Sequence, residues 1–204
     1  LQNINEITKN LLKHAPGLIK LASTPSIGVN LMPALVAEFC KKYPEVKFET
    51  HTLHLDQIEQ KINEINIDIA LAYDIDSSEY IESVAVFEGD FVLLSPPSIH
   101  FNSTTVSCSD LEGIPFIRIE GPLSVRLDNY FKKNNFTPNY VTTTDTYQIA
   151  KSLVDEEMGI TILDQISATN IDTDGVKTWP LESPLKFEMK MVYSNQKVES
   201  IVLN

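Results

Sequence analysis

Hydrophobic residues recur along this chain with two periods, and stretches of the two kinds alternate. Short apolar or alternating runs predict buried strands, whereas apolar residues three or four positions apart predict helices that pack one face on a core. In the first third of the chain, strands are predicted at 18–22, 46–50 and 67–73, and helices near Asn30 and from Asp56. The almost wholly apolar run 67–73 predicts a central, parallel strand. This β-α-β-α-β order is typical of a doubly wound sheet.

The polar stretch 74–79 interrupts this order and predicts a hinge or linker. A second series of strands is predicted beyond it, at 84–94, 115–119, 140–143, 160–163 and 187–193. Helices are predicted around Leu127 and from Asp145 onward. A short helix over 107–113 has Ser109 and Glu112 at capping-box spacing.

These elements predict an α/β fold of two Rossmann-like lobes with a hinge. Lobe I comprises residues 17–80 together with 194–204, because the end of the last predicted strand could return to it. Lobe II comprises residues 81–193. Residues 1–16 have apolar positions at helical spacing and end in a Pro-Gly stop, so they predict the end of a longer linker helix. We therefore expect the chain to be a piece of a longer protein.

The net charge of the chain bears on whether it can bind nucleic acid. The 204 residues include 16 Lys and Arg against 28 Asp and Glu, for a net charge of -12. Binding to nucleic-acid phosphates needs a basic patch, and the chain offers only the Lys pairs at 41–42 and 132–133. We expect no DNA binding by this segment itself. No apolar run approaches the roughly 18 residues that span a bilayer, so no membrane partner is expected.

Reactive side chains are few. Cys40 and Cys108 lack CxxC spacing, and Cys40 falls on an apolar helical face, which predicts a reduced core thiol. His51 and His54 are three residues apart without further ligands nearby, so no metal is expected. Phosphate-binding glycine loops and a nucleophile elbow are absent from the sequence, and we expect neither a cofactor nor catalysis.

Four loops after predicted strands are rich in hydroxyl groups. In open α/β sheets, ligands bind outside the carboxyl ends of the strands, where helix N-termini present free N–H groups. The loops lie at 23–26, 53–56, 121–124 and 142–146. Helix capping is the simpler explanation for any one of them. Two loops in each lobe together predict a cleft that holds a small molecule.

Several segments resemble, in order and spacing, the effector-binding domain of LysR-type transcription regulators. They are Gly-Leu-Ile-Lys-Leu-Ala-Ser-Thr-Pro-Ser at 17–26, Leu-Met-Pro at 31–33, Tyr-Pro-Glu-Val at 43–46, Ile-Asp-Ile-Ala-Leu at 67–71, Ser-Pro-Pro at 95–97, Asp-Leu at 110–111, Pro-Phe-Ile at 115–117 and Met-Gly-Ile at 158–160. The resemblance covers nearly the whole chain from about residue 17.

This resemblance implies a type 2 periplasmic-binding-protein-like fold, an effector cleft between the lobes and a cytoplasmic location. It implies a winged helix-turn-helix upstream, through which alone the full protein would bind DNA. It also implies a homodimer or tetramer, in which the helix near 30–43 packs on the partner's helix near 124–135. From the hydroxyl-rich loops and the helix N-termini, rather than from the resemblance, we expect the effector to be a small organic anion or an amino-acid-like metabolite.

Carried over by position, the resemblance implies effector contacts from both lobes. In lobe I these are Thr24, Pro25, Ser26, His54 and Tyr73. In lobe II they are Ser124, Arg126, Thr143, Thr144 and Asp145. Arg126 would pair with an anionic ligand, and the other residues would contribute mainly hydroxyl groups.

The chain departs from the family pattern at four positions. Leu53, Ile65 and Glu157 stand where the family usually has Gly, and Asp164 stands where it usually has Pro. A Gly at a helix end commonly adopts positive φ, so Glu157 there would cost about 1 kcal/mol, or the turn would differ. Leu53 and His54 would make one wall of the cleft bulkier and more basic.

Two other functions share this fold. A solute-binding protein of a transport system would need an upstream signal peptide or lipid anchor. An enzyme would need a cleft side chain with a perturbed pKa, for which Asp145 and His54 are the candidates. The leading hypothesis is a ligand-sensing regulatory domain whose effector shifts a conformational population.

Overall fold

A computed structural model of the chain describes residues 17–64, 67–121, 124–169 and 175–194. The chain divides into two compact units. Unit 1 comprises Leu1–Glu88 with Phe187–Asn204, and unit 2 comprises Gly89–Lys186. These divisions lie some residues away from the predicted lobe ends at 80 and 193. The predicted linker helix over 1–16 and all but the first residue of the segment 194–204 lie outside the described residues.

Unit 1 follows the predicted β-α-β-α-β order, with one additional helix. Its elements are β1 (Leu18–Ser23), α1 (Pro25–Asn30), α2 (Met32–Lys42), β2 (Lys47–Thr52), α3 (Leu55–Glu64), β3 (Ile69–Tyr73), the first part of β4 (Ile81–Ser95) and most of β9 (Lys186–Ser194). The sheet order is β2-β1-β3-β9. β1 pairs in parallel with β2 and β3.

The prediction for the strand at 67–73 is half confirmed. β3 is central and all five of its residues are buried. Its two neighbours differ, however, because β1 is parallel to it and β9 is antiparallel. An apolar run reports burial on both faces but carries no information about the direction of a distant strand. The core beside β3 includes Ile58 and Ile62, which the helical spacing of α3 places on one face.

The loop predicted over 23–26 is shorter than expected. Thr24 is the N-cap of α1, and Pro25 occupies the first helical turn, so Ser26 lies in the helix. Proline suits this position for two reasons: its φ is already fixed near the helical value, and the N–H that it lacks would have no partner within the helix. A second helix begins at Met32, two residues after the Asn30 at which a single helix was predicted to begin.

The apolar stripe of α2 is only partly covered. Met32 is the one buried residue of this helix. Leu35, Val36, Phe39 and Cys40 are half-buried. The expectation that Cys40 is a core thiol is therefore wrong in its burial, although the cysteine is free. Helical spacing identifies the apolar face but does not show how much of it the same chain covers.

Unit 2 has the second predicted series with two additional short elements. Its elements are the second part of β4, a 3-10 helix (Cys108–Leu111), β5 (Pro115–Ile119), α4 (Ser124–Lys133), β6 (Asn139–Thr144), α5 (Tyr147–Asp155), β7 (Thr161–Asp164), α6 (Gln165–Ala168) and β8 (Lys177–Pro180). β5 and β6 are parallel, and a parallel bridge joins Phe116 to Ile160. β4 pairs antiparallel with β7 and β8.

The capping box of the 3-10 helix is formed by other residues than predicted. Asp110 accepts hydrogen bonds at Oδ2 from the amide and the hydroxyl of Ser107, at 2.8 and 2.7 Å. These two bonds lower the pKa of Asp110. Ser109 and Glu112 have the same spacing, but the helix begins two residues earlier, so Ser107 occupies the N-cap. Similarly, α5 begins at Tyr147, with Thr146 rather than Asp145 at its N-cap.

Candidate functional site

Three parallel strands of unit 1 end side by side. Ser23 is in register with Thr52 of β2 and with Leu71 of β3. The residues that follow these ends were predicted to bind a ligand, since strand carboxyl ends and helix N-termini meet at this edge. The structure brings Thr24, Ser26 and Tyr73 to this edge as the sequence predicted.

Thr24 is held tightly at the end of β1. Its amide donates to the Leu71 carbonyl at 3.1 Å, and its carbonyl accepts from the Gly28 amide at 2.9 Å. The side chain is buried, with 8% of the residue surface exposed. Within the described part of the chain, Thr24 Oγ1 and Ser23 Oγ have no hydrogen-bond partner. Thr24 therefore does not cap α1 with its hydroxyl, and a buried donor and acceptor stays available.

Ser26 and Tyr73 lie together. The Ser26 hydroxyl donates to the Tyr73 phenolic oxygen at 3.3 Å. Tyr73, at the end of β3, is buried, and its ring packs edge-on against Phe187 with 5.1 Å between ring centroids. Pro25 is half-buried beside them. The hydroxyl pair is thus fixed by a helix on one side and an aromatic contact on the other.

His54 and its neighbour Leu53 differ in orientation. His54 is exposed, and its amide donates to Gln57 Oε1 at 3.2 Å, which caps the start of α3. Leu53 is buried in the unit 1 core with Ile58 and Ile62. The expectation that Leu53 forms a bulky wall of the ligand site is therefore wrong. Its apolar side chain is stabilised by burial in the core, which a Gly at this position could not provide.

In unit 2, β5 and β6 also end side by side. Ile119 is in register with Thr144, and the Glu120 amide donates to the Thr144 carbonyl at 2.8 Å. Ser124, the first residue of α4, uses its hydroxyl to donate to the Gly121 carbonyl at 2.7 Å. This local bond to the residue three positions earlier accounts for the Ser124 hydroxyl proton.

The loop after β6 is bonded mainly to itself. Thr144 Oγ1 accepts from the Thr146 amide at 3.1 Å, and Asp145 Oδ1 accepts from the Thr146 hydroxyl at 2.9 Å. Thr143 and Asp145 are exposed. Local turn formation therefore explains Thr144 and Asp145 without a ligand, as the capping alternative proposed. Arg126, half-buried in α4, donates from Nη1 to the carbonyl of Lys186.

Sequence reasoning missed a charged cluster on unit 2. Arg118 of β5 forms two hydrogen bonds to the Asp128 carboxylate of α4, at 2.7 and 2.8 Å. It also donates to the Tyr140 hydroxyl at 3.2 Å and lies over that ring. The hydrogen bond from Arg118 lowers the pKa of Asp128, and burial raises the pKa of Tyr140. Three separate elements supply these residues, so no local spacing in the sequence indicates the cluster.

Neither a metal-binding group nor a helix that could span a membrane is found within the described ranges. They contain no group of three His, Cys, Asp or Glu side chains that could hold a metal ion. His51 lies 2.9 Å from the Glu49 carboxylate instead. In the same ranges, every helix is too short or too polar to cross a bilayer.

Compact α/β units with hydroxyl groups at the carboxyl edge of parallel strands define a ligand-binding class of fold. The family model described as the LysR substrate binding domain matches residues 13–203, so the chain belongs to this family. The predicted LysR-type fold and family are therefore confirmed. Among curated relatives, the chain is 27% identical over 210 residues to the HTH-type transcriptional regulator DgcR of Pseudoalteromonas sp., covering 100% of this chain and 71% of DgcR.

Solved structures agree on the fold. HinK, a LysR family transcriptional regulator from Pseudomonas aeruginosa, aligns with a TM-score of 0.79 at 20% identity, over 96% of this chain and 70% of HinK. The effector binding domain of QuiR in complex with shikimate aligns with a TM-score of 0.74 at 17% identity, over 89% and 88% of the two chains. Across four further curated relatives, the chain spans only 51% to 60% of their length.

Proposed function

We propose that this chain is the effector-sensing domain of a LysR-type transcription regulator. It binds a small molecule and reports its presence to a DNA-binding segment elsewhere in the full protein, which we propose to be the predicted winged helix-turn-helix. The family match and the similarity to DgcR, an HTH-type transcriptional regulator, support this role. The net charge of -12 supports the assignment of DNA binding to another segment, since binding to DNA phosphates would need a basic surface.

The observation that carries the proposal is the Thr24 hydroxyl. A buried hydroxyl without a partner costs about 1–3 kcal/mol, so it is retained where a ligand or water satisfies it. Thr24 lies at the strand edge where ligands of α/β sheets bind, next to Ser26 and Tyr73. We therefore propose that effector binding satisfies the Thr24 hydroxyl and the Ser26–Tyr73 pair.

The remaining predicted contacts belong to the same proposal. His54 in unit 1 and Arg126 in unit 2 provide cationic or hydrogen-bonding groups that favour an organic anion or an amino-acid-like effector. Thr144, Asp145 and Ser124 are weaker members, because local bonds already use some of their polar atoms, and Thr143 is weaker because it is exposed. The effector binding domain of QuiR, which has this fold, was solved in complex with shikimate. Shikimate is a hydroxylated carboxylate and is therefore a reasonable first probe.

We further propose a homodimer or tetramer built through the helices near 30–43 and 124–135. α2 supports this assembly, because Leu35, Val36 and Phe39 are only half-buried within the chain. On α4, the side chain of Val125 is 62% exposed. Partly exposed apolar faces of this kind are typical of subunit contacts. We also propose a cytoplasmic location and a binding role without catalysis, because the curated relatives are transcription regulators.

Thermal-shift titration with shikimate, other small carboxylates and amino acids tests the proposal. A true effector should raise the melting temperature in a concentration-dependent way, and at a fixed ligand concentration the shift should increase with its affinity. Thr24→Val removes the hydroxyl and keeps the branched shape. It should weaken the affinity roughly tenfold or more, as the loss of a buried hydrogen bond to a ligand does.

Thr178→Val is the matched control, since Thr178 is an exposed strand residue of unit 2. It should leave the affinity unchanged. If Thr24→Val binds the same compound as tightly as the control does, Thr24 is not an effector contact and the site assignment is wrong.

A further inference from the structure

The chain passes from one unit to the other inside two strands. In β4 the division falls between Glu88 and Gly89, and in β9 it falls between Lys186 and Phe187. The residues that flank these divisions contact candidate effector residues within their own units. The sequence pattern does not indicate these contacts, and they extend the proposed function.

In unit 1, an aromatic chain links the strand-edge hydroxyls to both strands. Phe187 is fully buried, and its ring centroid lies 5.1 Å from that of Tyr73 and 6.1 Å from that of Phe87. Phe87 precedes the division in β4 by one residue, and Phe187 follows the division in β9 directly. Edge-on and tilted ring contacts of this kind contribute about 0.5–1.5 kcal/mol each, so displacement of Tyr73 is felt at Phe187.

The residue after Tyr73 holds the residue after Phe187. The Asp74 amide donates to the Glu188 carbonyl at 3.0 Å, and the Glu188 amide donates to Asp74 Oδ1 at 3.2 Å. Asp74 forms these bonds in a left-handed conformation, with φ of 49°. The Lys190 ammonium adds an ion pair to Asp76 at 2.8 Å. Residues 73–76 are thus joined to the first residues of β9 in unit 1.

In unit 2, the other side of the division is held by Arg126. Its guanidinium donates to the carbonyl of Lys186, the last residue of that unit. The Leu185 carbonyl beside it accepts from the Phe91 amide of β4 at 2.8 Å. A guanidinium bond to a carbonyl is charge-assisted, and an anion that competes for Arg126 would weaken it.

We propose that Tyr73 and Arg126 are positioning residues that set the local stability of β9 at 186–188. This inference rests on the proposed function in one respect, namely that both residues contact the effector. An effector that moves the Tyr73 ring or withdraws the Arg126 guanidinium then changes how β9 is held where the chain passes between units. The bound state is reported through the backbone of one strand, because a ligand can shift an equilibrium only through differential contacts.

Amide hydrogen exchange of the ligand-free chain tests this proposal residue by residue. Arg126→Gln should raise the exchange rate of the amides at 186–188 by roughly tenfold, as loss of a charged hydrogen bond would. Lys132→Gln, an exposed cation of the same helix, is the matched control and should leave these amides unchanged. Exchange in β1 and β3 should be the same in both variants.

Two substitutions separate the ring of Tyr73 from its hydroxyl. Tyr73→Leu should raise exchange at Phe187 and Glu188 by roughly tenfold, whereas Tyr73→Phe keeps the ring and should leave it within about twofold of wild type. Because Tyr73 is buried, the exchange result for Tyr73→Leu is used only if the far-ultraviolet circular dichroism of this variant matches wild type. If it does not match, Arg126→Gln alone tests the proposal.

Unchanged exchange at 186–188 in Arg126→Gln would overturn the proposal, as would equal effects of the two Tyr73 variants. Neither measurement needs an effector. An unchanged affinity in Thr24→Val would therefore contradict the proposed effector site while leaving the exchange result intact, and the two failures are distinguishable.

Discussion

The Met158 amide donates a hydrogen bond to the carbonyl of Leu153 at 3.0 Å, and this bond closes the end of α5. A second bond runs from the Glu157 amide to the Val154 carbonyl at 3.0 Å. Together they form a Schellman motif, in which Glu157 adopts the left-handed conformation with φ of 63°. The turn is therefore the one that glycine favours, and the chain places a glutamate in it.

Glu157→Gly should stabilise the protein. A left-handed conformation costs a residue with a side chain about 1 kcal/mol, which glycine avoids. The substitution also removes a hydrogen bond from the Ser98 hydroxyl to the exposed Glu157 carboxylate, a contact of small value at the surface. We expect the melting temperature to rise by about 2–4 °C in a calorimetric scan.

Asn135→Gly provides the comparison. Asn135 adopts φ of 52° at the end of α4, and the Phe136 amide bonds to the Phe131 carbonyl at 2.9 Å in the same motif. Asparagine tolerates this conformation better than glutamate, so the gain should be smaller than at Glu157. If Glu157→Gly lowers the melting temperature, the Ser98 bond outweighs the backbone term.

The effect of Gly28→Ala on the free energy of unfolding should change sign when Ser23 is also replaced. A Cβ on Gly28 would lie 2.8 Å from Ser23 Oγ, which is fully buried. Gly28→Ala alone should lower the free energy of unfolding by about 1–2 kcal/mol, because overpacking exceeds the gain in helix propensity. In a Ser23→Ala background the obstructing oxygen is absent, and the same change should raise it by about 1 kcal/mol. A double-mutant cycle in urea measures the difference, and additive effects would contradict the contact.

Asp128→Asn should reveal a pH-dependent contribution of the Arg118 pair. The folded-state pKa of Asp128 is depressed chiefly by the Arg118 hydrogen bond, so its stabilisation is present above the unfolded pKa of about 3.9 and is lost as the pH falls through the lower folded value. At pH 7 we expect a loss of about 0.5–1 kcal/mol, as for a well-aligned surface pair. Denaturant titrations at pH 7 and near pH 2 should show the difference shrinking, while Asp90→Asn, an exposed strand position, should show little at either pH.

Gly159→Ala should be severe. A Cβ there would overlap the Pro115 carbonyl oxygen, which accepts a bond from the Ile160 amide at 2.9 Å. Since the obstructing atom belongs to the backbone of a bridged strand, we expect a loss of about 3 kcal/mol or more, seen as reduced soluble yield and a lower melting temperature. At Gly113 an added Cβ would have no atom of the other described residues within 4 Å, apart from its chain neighbours, so Gly113→Ala should cost only about 1 kcal/mol for its positive φ. Similar losses in the two variants would indicate that backbone conformation, not the contact, is responsible.

The predicted elements are largely confirmed in position, and each miss has a physical reason. β1, α3, β5 and β9 appear within one residue of their predicted bounds. The miss at Ser107 arose because two equivalent capping boxes lie two residues apart, and only the register of the helix selects one. α6 and β8, four residues each, are too short to show a period.

The candidate site divides in the same way. Thr24, Ser26 and Tyr73 follow strands that their apolar runs identify, so their common edge was predictable. Leu53 was assigned to the wrong surroundings, because its side-chain direction depends on the packing of α3. That Thr24 Oγ1 has no partner in the described residues, while Ser124 and Thr144 are already bonded, is visible only in the structure.

The sequence by itself determined the α/β class, the family and the strand ends that carry hydroxyl groups, because side-chain period and local turn chemistry are properties of neighbouring residues. Only the tertiary structure decided that β3 has an antiparallel neighbour, that Arg118 and Asp128 meet, and that Tyr73 and Arg126 hold adjacent residues of β9 in their respective units. Each of these depends on where the chain returns after many residues. The free energy that selects such long-range contacts comes from burial and pairing, which no local pattern records.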